Sequence, residues 1–146
     1  MTSIEREKLP VLIKVRGEQY FDDIDPDSTE LTTDGVMELT EDGMILSYEE
    51  TELTGMAGTT TTFTVAGPRV VLTRSGKLRS EMIFEKGVPH DTLYQMAFGT
   101  LLMTVTATFV FFDIVEDGGT IDLSYNLDIE NSEAGVIDYH LDIRAK

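Results

Sequence analysis

The 146-residue chain has no cysteine, no tryptophan and only two histidines. Without cysteine, disulfide bonds, thiolate catalysis and cysteine-based zinc sites are excluded. Two histidines are too few for most zinc enzymes. Basic residues are also scarce, since 11 bases face 27 acids and the net charge is −16. A surface of this sign repels phosphate backbones, so we expect no nucleic-acid binding.

We expect no targeting or membrane-spanning segment in this sequence. The amino-terminal stretch MTSIEREKLP lacks the apolar region of a signal peptide, so we expect a cytoplasmic protein. Residues 92–112 carry no charge and could cross a bilayer as a helix. However, Thr104, Thr106 and Thr108 recur at a period of two, which is typical of a strand. Acids rather than bases flank the segment, so we predict a hairpin and no membrane contact.

Alternation of apolar and polar residues is the dominant pattern, and no window of helical length shows a 3.6-residue period. Glycine-containing turns such as TDGV, EDGM and EDGG separate the alternating runs. The pattern predicts one domain over residues 1–146, with 1–8 as a flexible amino terminus. The predicted strands are 9–17, 29–40, 43–53, 58–66, 69–75, 80–86, 91–97, 100–113, 119–130 and 136–145.

Consecutive hairpins with one apolar face can form a barrel or a sandwich. Short connections favour up-and-down order, and pairing the first strand with the last would remove the exposed edges. We therefore predict an all-β fold, a single closed or nearly closed antiparallel up-and-down β-barrel of eight to ten strands.

Several short motifs occur in a characteristic order. They are G-x-Q at 17–19, L-S-Y-x-E at 46–50, T-G at 54–55, R-S-G at 74–76, F-E-x-G at 84–87, Y-x-M-x-F-G at 94–99 and S-Y at 124–125. Together they resemble the YwiB-like family of small bacterial proteins, which are calycin-like, or lipocalin-like, β-barrels classed as a domain of unknown function. The resemblance implies an antiparallel barrel of eight to ten strands and identifies no catalytic or ligand-binding residues.

No set of residues suggests catalysis or a metal. His90 and Asp91 are adjacent, but no nucleophile motif accompanies them. Asp23, Asp25 and Asp27 alternate as in an EF-hand, yet later positions hold Ser28 and Asp34, so a solvated loop is the better interpretation. Asp138, His140 and Asp142 share a strand face, but it is the polar, outward one. We predict no catalytic residues, no metal and no cofactor.

Five of the eleven bases lie within 18 residues: Arg69, Arg74, Lys77, Arg79 and Lys86. One interpretation is a single electropositive region that could steer an anionic ligand or a partner. The alternative is that these bases only offset neighbouring acidic strands.

The predicted inward residues are mostly large, so we expect a full or nearly full barrel with any cavity small or near one mouth. In the segment 100–113, the alternation predicts that Ala107, Phe109 and Phe111 face inward. A cost of ~3–5 kcal/mol for Phe109→Ala would follow from that placement.

Two charged residues end rows of inward apolar residues. Tyr48 and Glu50 follow Met44 and Leu46 on one strand, and Arg74 follows Val70 and Leu72 on another. We predict that Glu50 and Arg74 approach each other inside or at the mouth of the barrel, because a lone buried carboxylate is strongly disfavoured. Tyr48, Tyr94 and Tyr125 would add hydroxyls nearby. The pair either plugs one end of the barrel or leaves Arg74 available to an anionic ligand.

Two functions follow as hypotheses. The first is a non-catalytic barrel that binds a small, partly apolar, anionic molecule. The alternative is a structural or protein-interaction module whose barrel is filled by its own side chains and whose acidic outside meets a protein partner.

Overall fold

Ten β-strands make up the computed structural model, which describes residues 8–20, 27–52 and 56–146. Three features of the sequence lie outside the described residues. They are the predicted flexible amino terminus except for Lys8, the motif T-G at 54–55, and Asp23 and Asp25 of the alternating aspartates. The strands are β1 (Lys8–Tyr20), β2 (Asp27–Leu39), β3 (Gly43–Glu49), β4 (Thr59–Ala66), β5 (Arg69–Gly76), β6 (Ser80–Glu85), β7 (Pro89–Met96), β8 (Gly99–Val115), β9 (Gly118–Ile129) and β10 (Ser132–Ala145).

The strands form one antiparallel sheet in the order β6-β5-β4-β3-β2-β1-β10-β9-β8-β7. Consecutive strands pair, and the first strand pairs with the last from Val11↔Ala145 to Tyr20↔Val136. The sheet curls into a nearly closed barrel, which confirms the predicted all-β fold. Odd-numbered strands all finish at one end of the barrel, which we call the Arg74 end because Arg74 lies near the end of β5.

The barrel closes incompletely between β6 and β7, although a short turn connects these two strands. One bridge joins them at the Arg74 end, where Arg79 and Gln95 exchange backbone hydrogen bonds of 2.9 and 2.8 Å. At the other end, Val88 N–H donates to Glu85 O at 2.9 Å. No other pairing between the two strands occurs in the described part of the chain. The seam of the barrel therefore lies between β6 and β7, while the first and last strands are continuously paired.

Period-two alternation places the core inside the barrel, as the sequence predicted. On β9 the inward row is buried and the intervening residues are partly exposed. The largest fully buried side chains include Phe63, Phe84, Ile13, Met37, Met44, Leu46, Ile121 and Leu123. Burying one such side chain contributes about 1.5–3 kcal/mol to stability, so these residues dominate the energetics of the barrel.

The predicted inward orientation of Phe109 and Phe111 is wrong. Ala107 is fully buried, as predicted, but the register between β8 and β9 shifts between Ala107 and Phe109. The bulge adds Thr108 to β8 and reverses the alternation that follows it. Phe109 and Phe111 are consequently 49% and 47% exposed, and Val110, Phe112 and Ile114 pack against the core instead.

Candidate functional site

A row of inward residues with polar groups crosses four strands at the Arg74 end. Cross-strand pairing links Tyr48 to Thr61, Thr61 to Arg74, and Arg74 to Ser80. Because directly opposite residues on one face lie close together, this register makes them neighbours. The structure therefore brings Tyr48 and Arg74, which the sequence predicted for one site, into the same row.

Glu50 lies just beyond β3, where its backbone N–H donates to Thr59 O at 2.8 Å. Its side chain is only 7% exposed. Burial raises the pKa of the Glu50 carboxyl above its ordinary value, and the charge of Arg74 and the nearby Thr61 hydroxyl partly oppose that rise. None of the ion pairs among the described residues joins Glu50 to Arg74. The two charges thus influence each other without direct contact.

Arg74 contributes an incompletely satisfied guanidinium. Its Nε atom is buried and has no hydrogen-bond partner. Burial raises the pKa values of Tyr125 and Tyr139, and the positive charge of Arg74 partly lowers both. Two further buried polar atoms at this end lack a partner: Thr59 Oγ1 and Ser80 Oγ. Unpaired buried polar groups cost about 1–3 kcal/mol each, so a concentration of them is unusual.

Aromatic side chains surround this polar group. The hydroxyls of Tyr48 and Tyr139 are 3.4 Å apart, and the rings of Phe84 and Tyr125 have centroids 4.8 Å apart. Burial raises the pKa of Tyr48 well above its ordinary value. The hydroxyls therefore stay protonated, and each keeps a proton to donate.

A cavity of about 430 Å³ opens beside Arg74. Arg74, Tyr94, Tyr125 and Tyr139 line it together with apolar side chains that include Leu101, Met103 and Ile129. Its volume lies in the lower part of the range of ~300–1,000 Å³ found for small-molecule sites. Three of the five predicted site residues, Arg74, Tyr94 and Tyr125, line this cavity. Tyr48 and Glu50 are not part of the lining, although the Tyr48 hydroxyl contacts that of Tyr139, which is.

Sequence reasoning missed several polar residues of this site. Thr59 and Thr61 share the inward phase of Phe63 and Val65 on β4, so their burial could have been found from alternation. Tyr139 was not among the predicted site residues, yet it lines the cavity and contacts the Tyr48 hydroxyl. Ser80 begins its strand and carried no signal.

The other candidate groups occupy different surfaces. His140 Nδ1 contacts Asp122, and its Nε2 lies 3.7 Å from Asp142. Asp138 accepts a hydrogen bond of 2.6 Å from Ser124. His90 Nε2 lies 3.4 Å from Glu85, while Asp91 accepts a hydrogen bond from Thr104. Among the residues that the structure describes, no group of three or more metal-binding side chains converges.

The five clustered bases do not form one electropositive surface. Arg69 forms an ion pair with Glu85 at 2.9 Å, at the end of the barrel opposite Arg74. Lys86 follows β6 at that same end, whereas exposed Lys77 and Arg79 lie in the β5–β6 turn at the Arg74 end. Only Arg74 points into the cavity. Of the two interpretations that the sequence left open, the single electropositive region is therefore wrong, because β5 and β6 span the barrel and place these bases at its opposite ends.

These features define a nearly closed, ten-stranded antiparallel barrel with a cavity at one end that is lined by apolar side chains and a few polar groups. The chain belongs to the family described as domain of unknown function DUF1934, whose model matches residues 13–143. This confirms the resemblance found in the sequence.

The fold is similar to that in the crystal structure of the ywiB protein from Bacillus subtilis. The TM-score is 0.84 at 21% sequence identity, and the match covers 97% of this chain and 95% of that chain. At this identity the likeness shows the fold alone. No curated protein matches the chain. Over the described residues, the protein contains no helix that is long and apolar enough to span a membrane.

Proposed function

We propose that the protein is a cytoplasmic, lipocalin-like barrel that binds a small, partly apolar anion in the cavity at the Arg74 end, without catalysis. The observation that carries this proposal is the buried, unpartnered Nε of Arg74 beside a cavity of about 430 Å³. A buried donor of this kind is costly unless an acceptor reaches it, and a carboxylate supplies a matching acceptor.

The chemistry of the lining supports an anion with an apolar body. Arg74, Tyr94, Tyr125 and Tyr139 contribute hydrogen-bond donors to the lining of the cavity. The same lining includes the apolar side chains of Leu101, Met103, Leu127, Ile129 and Ile137. A few convergent polar groups in a mainly apolar pocket are typical of small-molecule sites.

Calorimetric titration with decanoate and with decan-1-ol tests the proposal. Decanoate carries the anionic head, and decan-1-ol has the same chain length without charge. We expect decanoate to bind with a dissociation constant in the micromolar range, and Arg74→Met to weaken that binding at least tenfold, or ~1.4 kcal/mol. Decan-1-ol should bind more weakly and respond little to the substitution.

The matched control is Arg79→Met, which removes an exposed base at the same end of the barrel but outside the cavity lining. It should leave decanoate binding unchanged. Equal losses in the two variants would indicate general electrostatic attraction and would overturn the assignment to Arg74. Absence of decanoate binding to the unmodified protein would overturn the proposed ligand class.

The second candidate is a protein-interaction module. The barrel interior away from the cavity favours this candidate, because Phe63, Phe84, Met44 and their neighbours fill it. The acidic exterior, with a net charge of −16, is suited to a basic partner.

A further inference from the structure

The second half of β8 has an unpaired edge. β9 pairs with β8 from Met103 to Val115, but on the other side β7 pairs only from Gly99 to Thr106. The last backbone contact on that side is the 2.8 Å hydrogen bond from Gly87 N–H to Ala107 O. Within the described ranges, no strand pairs with the remaining edge, residues 108–115.

The turn into β9 identifies which backbone groups face this edge. Glu116 and Asp117 form a two-residue turn, and Val115 pairs with Gly118 across it. The residues that flank such a turn exchange backbone hydrogen bonds, and bonded residues then alternate along the strand. Val115, Asp113 and Phe111 therefore bond to β9. The N–H and C=O groups of Val110, Phe112 and Ile114 point toward the unpaired edge.

The outer face of the same segment is aromatic. The rings of Phe109 and Phe111 stack with centroids 6.4 Å apart and an interplanar angle of 18°. About half of each ring is exposed, because the bulge at Thr108 turns both residues outward. Natural edge strands are usually protected by proline, lysine or several charges. Residues 108–115 contain only one charged side chain, Asp113.

We propose that residues 108–115 of β8 form a docking edge for an extended, basic segment of a protein partner, which adds to the sheet as a further strand. Backbone hydrogen bonds to Val110, Phe112 and Ile114 would supply affinity, as in other cases of strand addition. On the outer face, apolar or basic side chains of the segment would pack on Phe109 and Phe111, whose ring faces attract cations.

Charge favours a basic partner over a second copy of this chain. Acids outnumber bases around the edge: Asp113, Glu116, Asp117 and Asp122 all lie on or beside it, whereas Lys86 and Arg144 lie at its two ends, next to Gly87 and opposite Gly118. Arg16 shares a pocket with Phe109, together with the acids Glu18 and Asp138. A second copy would bring another charge of −16 to the interface. Like charges opposed across an interface disfavour association, and complementary charges accelerate it.

The probe for this edge is a blocked nonapeptide that alternates valine and lysine, compared with a nonapeptide that alternates valine and glutamate. We expect the lysine peptide to bind at least tenfold more tightly than the glutamate peptide. Amide hydrogen exchange should slow at Val110, Phe112 and Ile114 when the lysine peptide binds. The amides of Phe111 and Asp113, already bonded to β9, should change little.

Two variants assign the binding to this surface. Phe109→Ser/Phe111→Ser should weaken binding of the lysine peptide at least fivefold. The matched control is Phe98→Ser, because Phe98 is 87% exposed but lies in the β7–β8 turn at the Arg74 end. It should have no effect. Equal binding of the two peptides, or protection that does not follow the alternation, would overturn the proposal.

Sedimentation of the unmodified protein separates the two possible occupants. We expect a single species whose mass does not change with protein concentration. Concentration-dependent dimers that Phe109→Ser/Phe111→Ser abolishes would show that a second copy occupies the edge, and would overturn the assignment to a basic partner.

Discussion

Arg74→Met perturbs the candidate site most directly, because it removes the positive charge that faces Glu50. Breaking a buried ion pair in direct contact costs about 3–5 kcal/mol. Here the two side chains are not in contact, so we expect a smaller decrease of ~2–3 kcal/mol in the free energy of unfolding near pH 8. Glu50→Gln removes the buried charge and keeps the shape, so its cost should stay below ~1 kcal/mol. The double variant should cost ~1–2 kcal/mol less than the two single variants added together.

The pH dependence of this cost follows from the raised pKa of Glu50. The folded state keeps the Glu50 proton to higher pH than the unfolded chain, so stability falls as pH rises from the ordinary value of 4.5 through the raised pKa. Without Arg74, the positive charge that limits the rise of the Glu50 pKa is lost, so the pH interval over which stability falls becomes wider. The cost of Arg74→Met should therefore grow with pH and approach the packing contribution alone at the acidic limit.

Urea denaturation followed by circular dichroism between about pH 5 and pH 8.5 measures both quantities, since ΔG extrapolates linearly with denaturant. The series stays above the isoelectric point of about 4.2, near which low net charge promotes association. Arg79→Met is the control and should show neither the cost nor the pH dependence. Two outcomes would refute the interaction between Glu50 and Arg74. One is a cost of Arg74→Met that does not change with pH. The other is a difference below ~0.3 kcal/mol between the cost of the double variant and the summed costs of the two single variants.

Three further predictions concern packing and metals. Phe63→Ala should cost ~3–5 kcal/mol because Phe63 is fully buried. Phe109→Ala should cost only ~1 kcal/mol because about half of Phe109 is already exposed to water. Equal costs in urea denaturation would contradict the outward placement of Phe109. Gly35→Ala should cost ~1–3 kcal/mol, because its Cβ would lie 2.4 Å from Ile13 Cδ1 and 2.7 Å from the Ser47 carbonyl oxygen. Gly17→Ala is the control, since its nearest contact would be an ordinary 3.5 Å. Calorimetric titration with calcium and zinc should give dissociation constants weaker than ~10⁻⁴ M, and a stoichiometric micromolar site would contradict this prediction.

The alternation of single strands made most of the fold predictable. On β9, for example, Ile121, Leu123, Tyr125 and Leu127 repeat at a period of two, and all four are buried. The same rule placed Glu50 and Arg74 in the inward phase, because each continues an apolar row. Alternation acts within one strand, however, and gives no register between strands. The row from Tyr48 through Thr61 and Arg74 to Ser80 depends on that register, so only part of the site could be predicted.

The position of the seam could not be predicted from local patterns. A short turn between β6 and β7 is a hairpin signal, and hairpin strands are expected to pair along their length. Here the two strands meet only near their ends. Whether they separate in the middle depends on how the whole sheet curls, since closure links strand number, tilt and stagger. These quantities belong to all ten strands together and leave no signature in residues 80–96.

The orientation of Phe109 and Phe111 was predictable in principle, because the sequence contained a conflict. Either phase of the segment from Ala107 to Val115 is apolar, since Val110, Phe112 and Ile114 alternate with Phe109 and Phe111. An uninterrupted phase would continue from Phe111 to Asp113 and point a carboxylate into the barrel. Burying that charge without a partner costs more than a bulge, which leaves one residue of the ladder unpaired. The bulge at Thr108 thus keeps Asp113 in water, and the outward turn of the two phenylalanines follows from the same shift.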